Sequence, residues 1–379
     1  MTAANSLINV WDAIKNSAKP VVLYGTGDAA EKILKELDAR SIRVSGVFAS
    51  DGFVRDREFG GLKVTDYRTA KETFGGMTVV LCFGSHRPEV LENILRIDRE
   101  QDLYAPDLPI AGERSFDECF FSENEARLAG IRKKLADWQS RLVFDKVIEY
   151  KLSGRIAPLI ECSTPEEDNW RLFAGRAEQS DVLFADLGAY TGDTVELFRK
   201  IRGNNKDAVV AFEPEPRNFR KLSENPACLE NAELVNAAAW ECDGTAFFEK
   251  GRGRGTHSSL PSADRSVGAG KAASLPDAKD PGGQPAKTIK TMLRSLDGVL
   301  SGRRADFIKM DIEGAEHSAL TGAAHTITAF KPAMLIAAYH RAEDLFDIPE
   351  TVLSMRPDYS IYLRKDPAVP AWGVNYIFI

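Results

Sequence analysis

The stretch ADLGAYTGDT, residues 185–194, follows the apolar run Val182-Leu-Phe and passes directly into Val195-Glu-Leu-Phe-Arg-Lys-Ile, whose apolar residues recur at helical spacing. Strand, glycine turn and helix in that order define one unit of a parallel α/β sheet. Gly188 and Gly192 allow a sharp backbone turn and allow a ligand to approach with no Cβ in the way. The helix that follows leaves free N–H groups at its start. Asp186, at the end of the strand, is placed to attract the cationic end of a cofactor.

Working outward, the next apolar run, VVAFEPEP (209–216), reaches Glu213, 25 residues beyond Gly188. A carboxylate there is placed to accept both hydroxyls of an unphosphorylated ribose. The turn lacks the G-x-G-x-x-G spacing of a dinucleotide site, so this combination suits S-adenosylmethionine better. Further strand-like runs follow as AELVNAAAW, ADFIKMD, AMLIAAYH, YSIYLR and VNYIFI, with helical patterns between most of them. The last two are joined only by KDPAVPAW (365–372), which predicts an antiparallel hairpin at the sheet edge. Between AELVNAAAW and ADFIKMD, 251–286 is rich in Gly, Ser, Pro, Ala and charge and reads as a loop or lid, with His257 able to reach over the site.

The N-terminal part repeats the plan more weakly. Val21-Val-Leu-Tyr leads into GTGDAA and then EKILKEL, followed by VSGVFAS from Val44 and TVVLCFGS from Thr78. Its pattern ends in Ala30, and no acid clearly closes the second strand, so a nucleotide-binding unit and a packing or dimerisation unit both fit. The helical stretch 121–154 joins the halves. We therefore expect a Rossmann-like accessory domain at 1–115, a mainly helical connector at 116–180 and a cofactor domain at 181–379.

Two segments point to chemistry on an acceptor. FIKMDIEGAE (307–316) sets Asp311, Glu313 and Glu316 at the C-terminal end of a strand, where ligands lie in open α/β sheets. Asp311 leaving an apolar strand is hard to explain as a solvated face, whereas Glu316 fits a simple helix N-terminal acid. AAYHRAEDL sets His340 at the end of another strand, where a neutral imidazole would take a proton from an attacking hydroxyl.

Bulk properties narrow the class. The 379 residues carry a net charge of −7 and are 44% hydrophobic, a globular profile with no apolar run long enough for a membrane helix. Negative charge disfavours nucleic acid as a partner. Five scattered cysteines without a C-x-x-C pair suit a reducing cytoplasm, and the N-terminus lacks the pattern of a signal peptide.

These motifs together resemble the FkbM family of S-adenosylmethionine-dependent methyltransferases. The resemblance rests on ADLGAYTGDT, AFEPEP (211–216), FIKMDIEGAEHSALTGA (307–323), AAYHRAEDLFDIP (337–349) and YSIYLR (359–364), and covers roughly residues 140–379. It implies a class I methyltransferase sheet of seven strands with the last antiparallel, and O-methylation of a sugar, glycan or natural-product hydroxyl. Carried over by position, Asp186, Gly188, Ala189, Tyr190, Gly192, Thr194, Glu213, Pro214 and Asn236 would hold the cofactor. His340, Asp311 and Glu313 would face the acceptor, with His340 as base. Magnesium stays open, with Asp311 as its ligand if one binds, and so does a homodimer. The sequence departs from the family where Arg364 is followed by Lys365 rather than histidine, and in the length of 251–286. A nicotinamide oxidoreductase and a non-catalytic cofactor-binding scaffold are the alternatives; an N-methyltransferase is disfavoured by the missing Asn/Asp-Pro-Pro-aromatic motif.

Overall fold

Uninterrupted apolar runs make the central strands: Leu183–Leu187, Ala208–Phe212, Phe307–Met310 and Ala333–Ala337 are buried almost throughout, as expected for strands covered on both faces. The structure is a computed structural model that describes residues 9–50, 52–54, 57–112, 114–175, 181–204, 206–228, 230–249 and 288–379. The stretch expected as a loop or lid, 251–286 with His257, lies outside the described residues.

Among the described residues the strands form three sheets. The C-terminal seven-stranded sheet runs Ile361–Lys365, Val374–Phe378, Ala333–Ala337, Phe307–Met310, Leu183–Leu187, Ala208–Phe212, Ala232–Val235. All neighbours pair in parallel except Val374–Phe378, which is antiparallel on both sides. This is the expected α/β architecture with its terminal hairpin. The run AELVNAAAW divides: Ala232–Val235 joins the large sheet, and Ala238–Ala239 pairs with Thr288–Arg294 in a small third sheet completed by Gly244–Glu249. The hydrophobic pattern gives no sign of that division.

The N-terminal sheet has six strands, in the order Glu58–Phe59, Leu62–Asp66, Val44–Ala49, Val21–Tyr24, Thr78–Leu81, Asp102–Tyr104. Helices Glu118–Lys134, Trp138–Ser153, Ala157–Cys162 and Glu166–Ala174 follow. The buried apolar residues of the first three belong to one core with both large sheets, so that Tyr24, Phe144, Leu152, Ile308 and Phe378 are parts of a single buried cluster. On the opposite face of the C-terminal sheet a cluster of Trp170, Phe173, Phe184, Phe198 and Phe307 fills the layer, with Phe184 and Phe198 stacked 4.2 Å apart.

The two sheets meet near their carboxyl ends. Ser85, just past the strand Thr78–Leu81, exchanges backbone hydrogen bonds with Val369 in the loop between the last two strands, at 2.7 and 3.0 Å. The ring of Trp372 from that loop lies on Gly84, where a Cβ would be 2.4 Å from the ring. Glycine is required there for space. In the GTGDAA turn a Cβ on Gly25 would lie 2.7 Å from the ring of Phe83. Lys365, which departs from the family pattern, is buried and donates to the carbonyls of Asp366 and Ala368, 2.5 and 2.8 Å away, inside this same loop.

We expect Gly84→Ala to lower the unfolding free energy by about 1–3 kcal/mol through overpacking, with much of the loss recovered on adding Trp372→Leu. Urea unfolding of the two variants checks this; a Gly84→Ala protein as stable as the wild type contradicts the packing.

Candidate active site

The turn after Leu183–Leu187 is built from backbone conformations that side chains resist: Gly188 has φ 89°, Tyr190 48° and Gly192 93°. The helix Asp193–Arg202 then carries acids in its first turn and bases in its last, in accord with its dipole. Glu213, at the end of the neighbouring strand, accepts the N–H of Tyr190 at 3.0 Å and that of Glu215 at 2.9 Å. Burial raises its carboxyl to about 7 against those N–H groups. Asn236, past the third strand, donates its amide to the carbonyls of Glu213 and Pro214, at 2.8 and 3.4 Å. Tyr190 leaves its ring 53% exposed above this row of strand ends. A non-glycine residue held at positive φ with its side chain outward is the kind of strain that marks a functional turn. Ala189 is buried beneath it and donates its N–H to Phe212.

The structure revises the reasons given for three of these residues. Asp186 is fully buried; it takes the hydroxyl of Thr194 and stands 3.3 Å from the ammonium of Lys309. Its charge is therefore met inside the protein, with the Thr194 hydroxyl turned onto it. Gly188 is needed for close approach by the protein itself, since a Cβ there would lie 2.1 Å from the carbonyl oxygen of Asp311. At Gly192 the corresponding space belongs to Asn225 and Cys228.

The acidic block comes up against that same turn. Asp311 donates its N–H to Leu187 at 3.1 Å, and the chain then turns through Glu313, φ 57°, and Gly314, φ 94°. Asp311 keeps 39% of its side-chain surface exposed. Its Oδ1 accepts from the hydroxyl of Tyr339 at 3.0 Å and lies 3.3 Å from Nε2 of His340. His340 itself is 1% exposed, and its Nδ1 is 2.9 Å from Oε1 of the equally buried Glu316. Glu316 also takes the N–H of Ile312 at 3.0 Å. It is thus a buried partner of the histidine and more than a helix N-terminal acid. Asp344 accepts the backbone N–H groups of His340 and Arg341, at 3.0 and 2.8 Å.

The neutral imidazole expected for His340 gives way to a cation. Burial alone would lower its pKa, but Glu316, Asp311 and Glu313 outweigh burial and hold it at about 10. With carboxylates facing both ring nitrogens, His340 has no vacant nitrogen with which to take a proton. Glu313 adds its charge to this group.

The N-terminal part also touches the site. Ile110 and Ala111 both donate to the carbonyl of His340, at 3.1 and 2.9 Å. The methyl of Ala111 lies 2.4 Å from where a Cβ on Gly314 would be. Residues 105–112 are pinned by a buried ion pair of Asp107 with Lys151 at 2.6 Å. Sequence reasoning missed Lys309, Tyr339, Asp344 and this strap; the apolar-strand position of Lys309 was the one available signal.

With this geometry in place, the fold defines the class: a Rossmann-like α/β protein with a cluster of charged side chains at the carboxyl ends of its central strands. Residues 186–357 match the family model described as the methyltransferase FkbM domain. This match over part of the chain supports an S-adenosylmethionine-dependent methyltransferase over the oxidoreductase alternative. Among solved structures it is similar to methyltransferase FkbM from Methylobacillus flagellatus KT, at 20% identity and a TM-score of 0.65, covering 97% of this chain and 92% of that one. That likeness extends the shared fold through the N-terminal sheet. A precorrin-6y C5,15-methyltransferase from Geobacter metallireducens GS-15 (10% identity, TM-score 0.32, 56% and 85% covered) and Aeropyrum pernix fibrillarin in complex with S-adenosyl-L-methionine (11%, 0.31, 56% and 73%) overlap too loosely to add to this. No curated protein sequence matches the chain.

A histidine whose folded pKa is raised contributes stability that is complete below the unfolded value near 6.5 and is lost as pH rises through about 10. We expect nitrogen-15 NMR of labelled histidines to show one imidazolium persisting at pH 8, and Glu316→Gln to lower its pKa by about one unit or more. Five resonances all titrating near 6.5 contradict the assignment.

Proposed function

We propose that the chain transfers the methyl group of S-adenosylmethionine to a hydroxyl oxygen of a small acceptor: a sugar, a glycan or a hydroxylated natural product. The cofactor lies over the turn 188–192, with its ribose hydroxyls on Glu213, Tyr190 beside it, and Pro214 and Asn236 bordering the base. Asp186 and Thr194 act from beneath, through the shape of the turn.

The observation that carries the acceptor side is Asp311. It is a half-open carboxylate beside the cofactor turn, with its Oδ1 held by Tyr339 and a cationic His340, and its Oδ2 has no partner among the described residues. The sulfonium is already an activated methyl donor, so the protein has to align oxygen, carbon and sulfur and keep water away. As the acceptor oxygen attacks, its proton passes to Asp311. His340 orients that carboxylate and stabilises its charge before transfer, and Glu316 balances the imidazolium in turn.

Magnesium fits this set poorly. Asp311, Glu316 and His340 offer ligand atoms within 4.8 Å of one another, but both histidine nitrogens already face carboxylates, and two of the three groups are sealed from solvent. Mg²⁺ prefers oxygen ligands and retains several waters. We derive no step through it.

Methyl-tritiated S-adenosylmethionine, offered with nucleotide sugars, oligosaccharides and hydroxylated macrolactones, tests the reading. Label should pass to one of these classes. Asp311→Asn should lower kcat by about 10²–10⁴-fold with little change in cofactor affinity, and EDTA should leave turnover unchanged. Tight cofactor binding with no transfer to any acceptor favours a scaffold role instead.

A further inference from the structure

Lys309 lies beneath both halves of the site. It stands on the strand Phe307–Met310, paired in parallel on one side with Leu183–Leu187 and on the other with Ala333–Ala337. Although almost fully buried, its ammonium donates to the carbonyl of Gly188 at 2.8 Å. It also lies 3.3 Å from Oδ1 of Asp186, an oxygen with no hydrogen bond of its own. Asp311 and Asp193 add their charges to that of Asp186 around it, and together they keep the lysine protonated despite burial.

Stability alone is a poor reason for this arrangement. Replacing a buried ion pair with apolar residues of similar size is often neutral or stabilising, whereas removing one partner is strongly destabilising. What the lysine does that an apolar side chain does not is hold the Gly188 carbonyl. That carbonyl belongs to the turn whose next approach, on the opposite side, is the backbone of Asp311.

We infer that Lys309 is a positioning residue for methyl transfer. Paired with Asp186 and bonded to the carbonyl of Gly188, it fixes the cofactor turn in register with Asp311. Donor methyl and acceptor hydroxyl then meet at a set distance. Asp186 accordingly serves the cofactor through Lys309, as counter-charge to the group that holds the turn. This rests on the reading of residues 188–192 as the cofactor turn.

The test uses the full chain, calorimetric titration with S-adenosylmethionine, and thermal melting. Lys309→Met leaves Asp186 buried without a counter-charge and should lower both Tm and cofactor affinity. Asp186→Leu combined with Lys309→Met should restore Tm to near the wild-type value, while affinity stays about tenfold or more below wild type because the Gly188 carbonyl is no longer held. Affinity restored together with Tm shows a purely structural pair and overturns the inference. If the wild-type chain itself gives no heat, the cofactor reading fails, and this inference fails with it.

Discussion

The carbonyl oxygen of Asp311 lies 2.1 Å from where a side chain on Gly188 would begin, and the N–H of the same residue bonds Leu187. Two loops, one a glycine turn and one bearing acids, are thereby pressed together at the ends of adjacent strands. Such contact brings several charges into a small, mostly dry volume, and each has to be met. Asp186 is met by Lys309, and His340 is met by Glu316 and Asp311. Asp311 keeps 39% of its side-chain surface open.

The N-terminal part of the chain belongs to this arrangement. Its sheet meets the methyltransferase sheet through Ser85, Val369 and the ring of Trp372 on Gly84. The strap that follows it places two N–H groups on the carbonyl of His340 and a methyl group against Gly314. The glycine turn at Gly25, which in the sequence suggests a nucleotide, lies against the ring of Phe83.

Local signals carried the fold far. Buried strands announce themselves as continuous apolar runs, and glycine after a strand followed by helical spacing announces the turn, so the α/β class and the antiparallel hairpin were legible from 182–201 and 359–379. The position of Glu213 was legible for the same reason. What was illegible depended on partners distant in the chain. Asp186 read as a ligand group because Lys309 is 123 residues away. Glu316 read as an ordinary helix acid because nothing local shows that the turn at Glu313 and Gly314 swings it onto His340. The protonation of His340 follows from three acids that only the folded chain assembles. The small sheet of Ala238–Ala239, Gly244–Glu249 and Thr288–Arg294 was hidden likewise, since its strands are short or widely separated.

A crystal structure of the chain with S-adenosylhomocysteine tests the central claim most directly. The account predicts ribose hydroxyls on the carboxylate of Glu213, the sulfur facing Asp311 across the Gly188 turn, and the ammonium of Lys309 still bonded to the Gly188 carbonyl. A ligand bound elsewhere, or one in this place whose sulfur points away from Asp311, would contradict it.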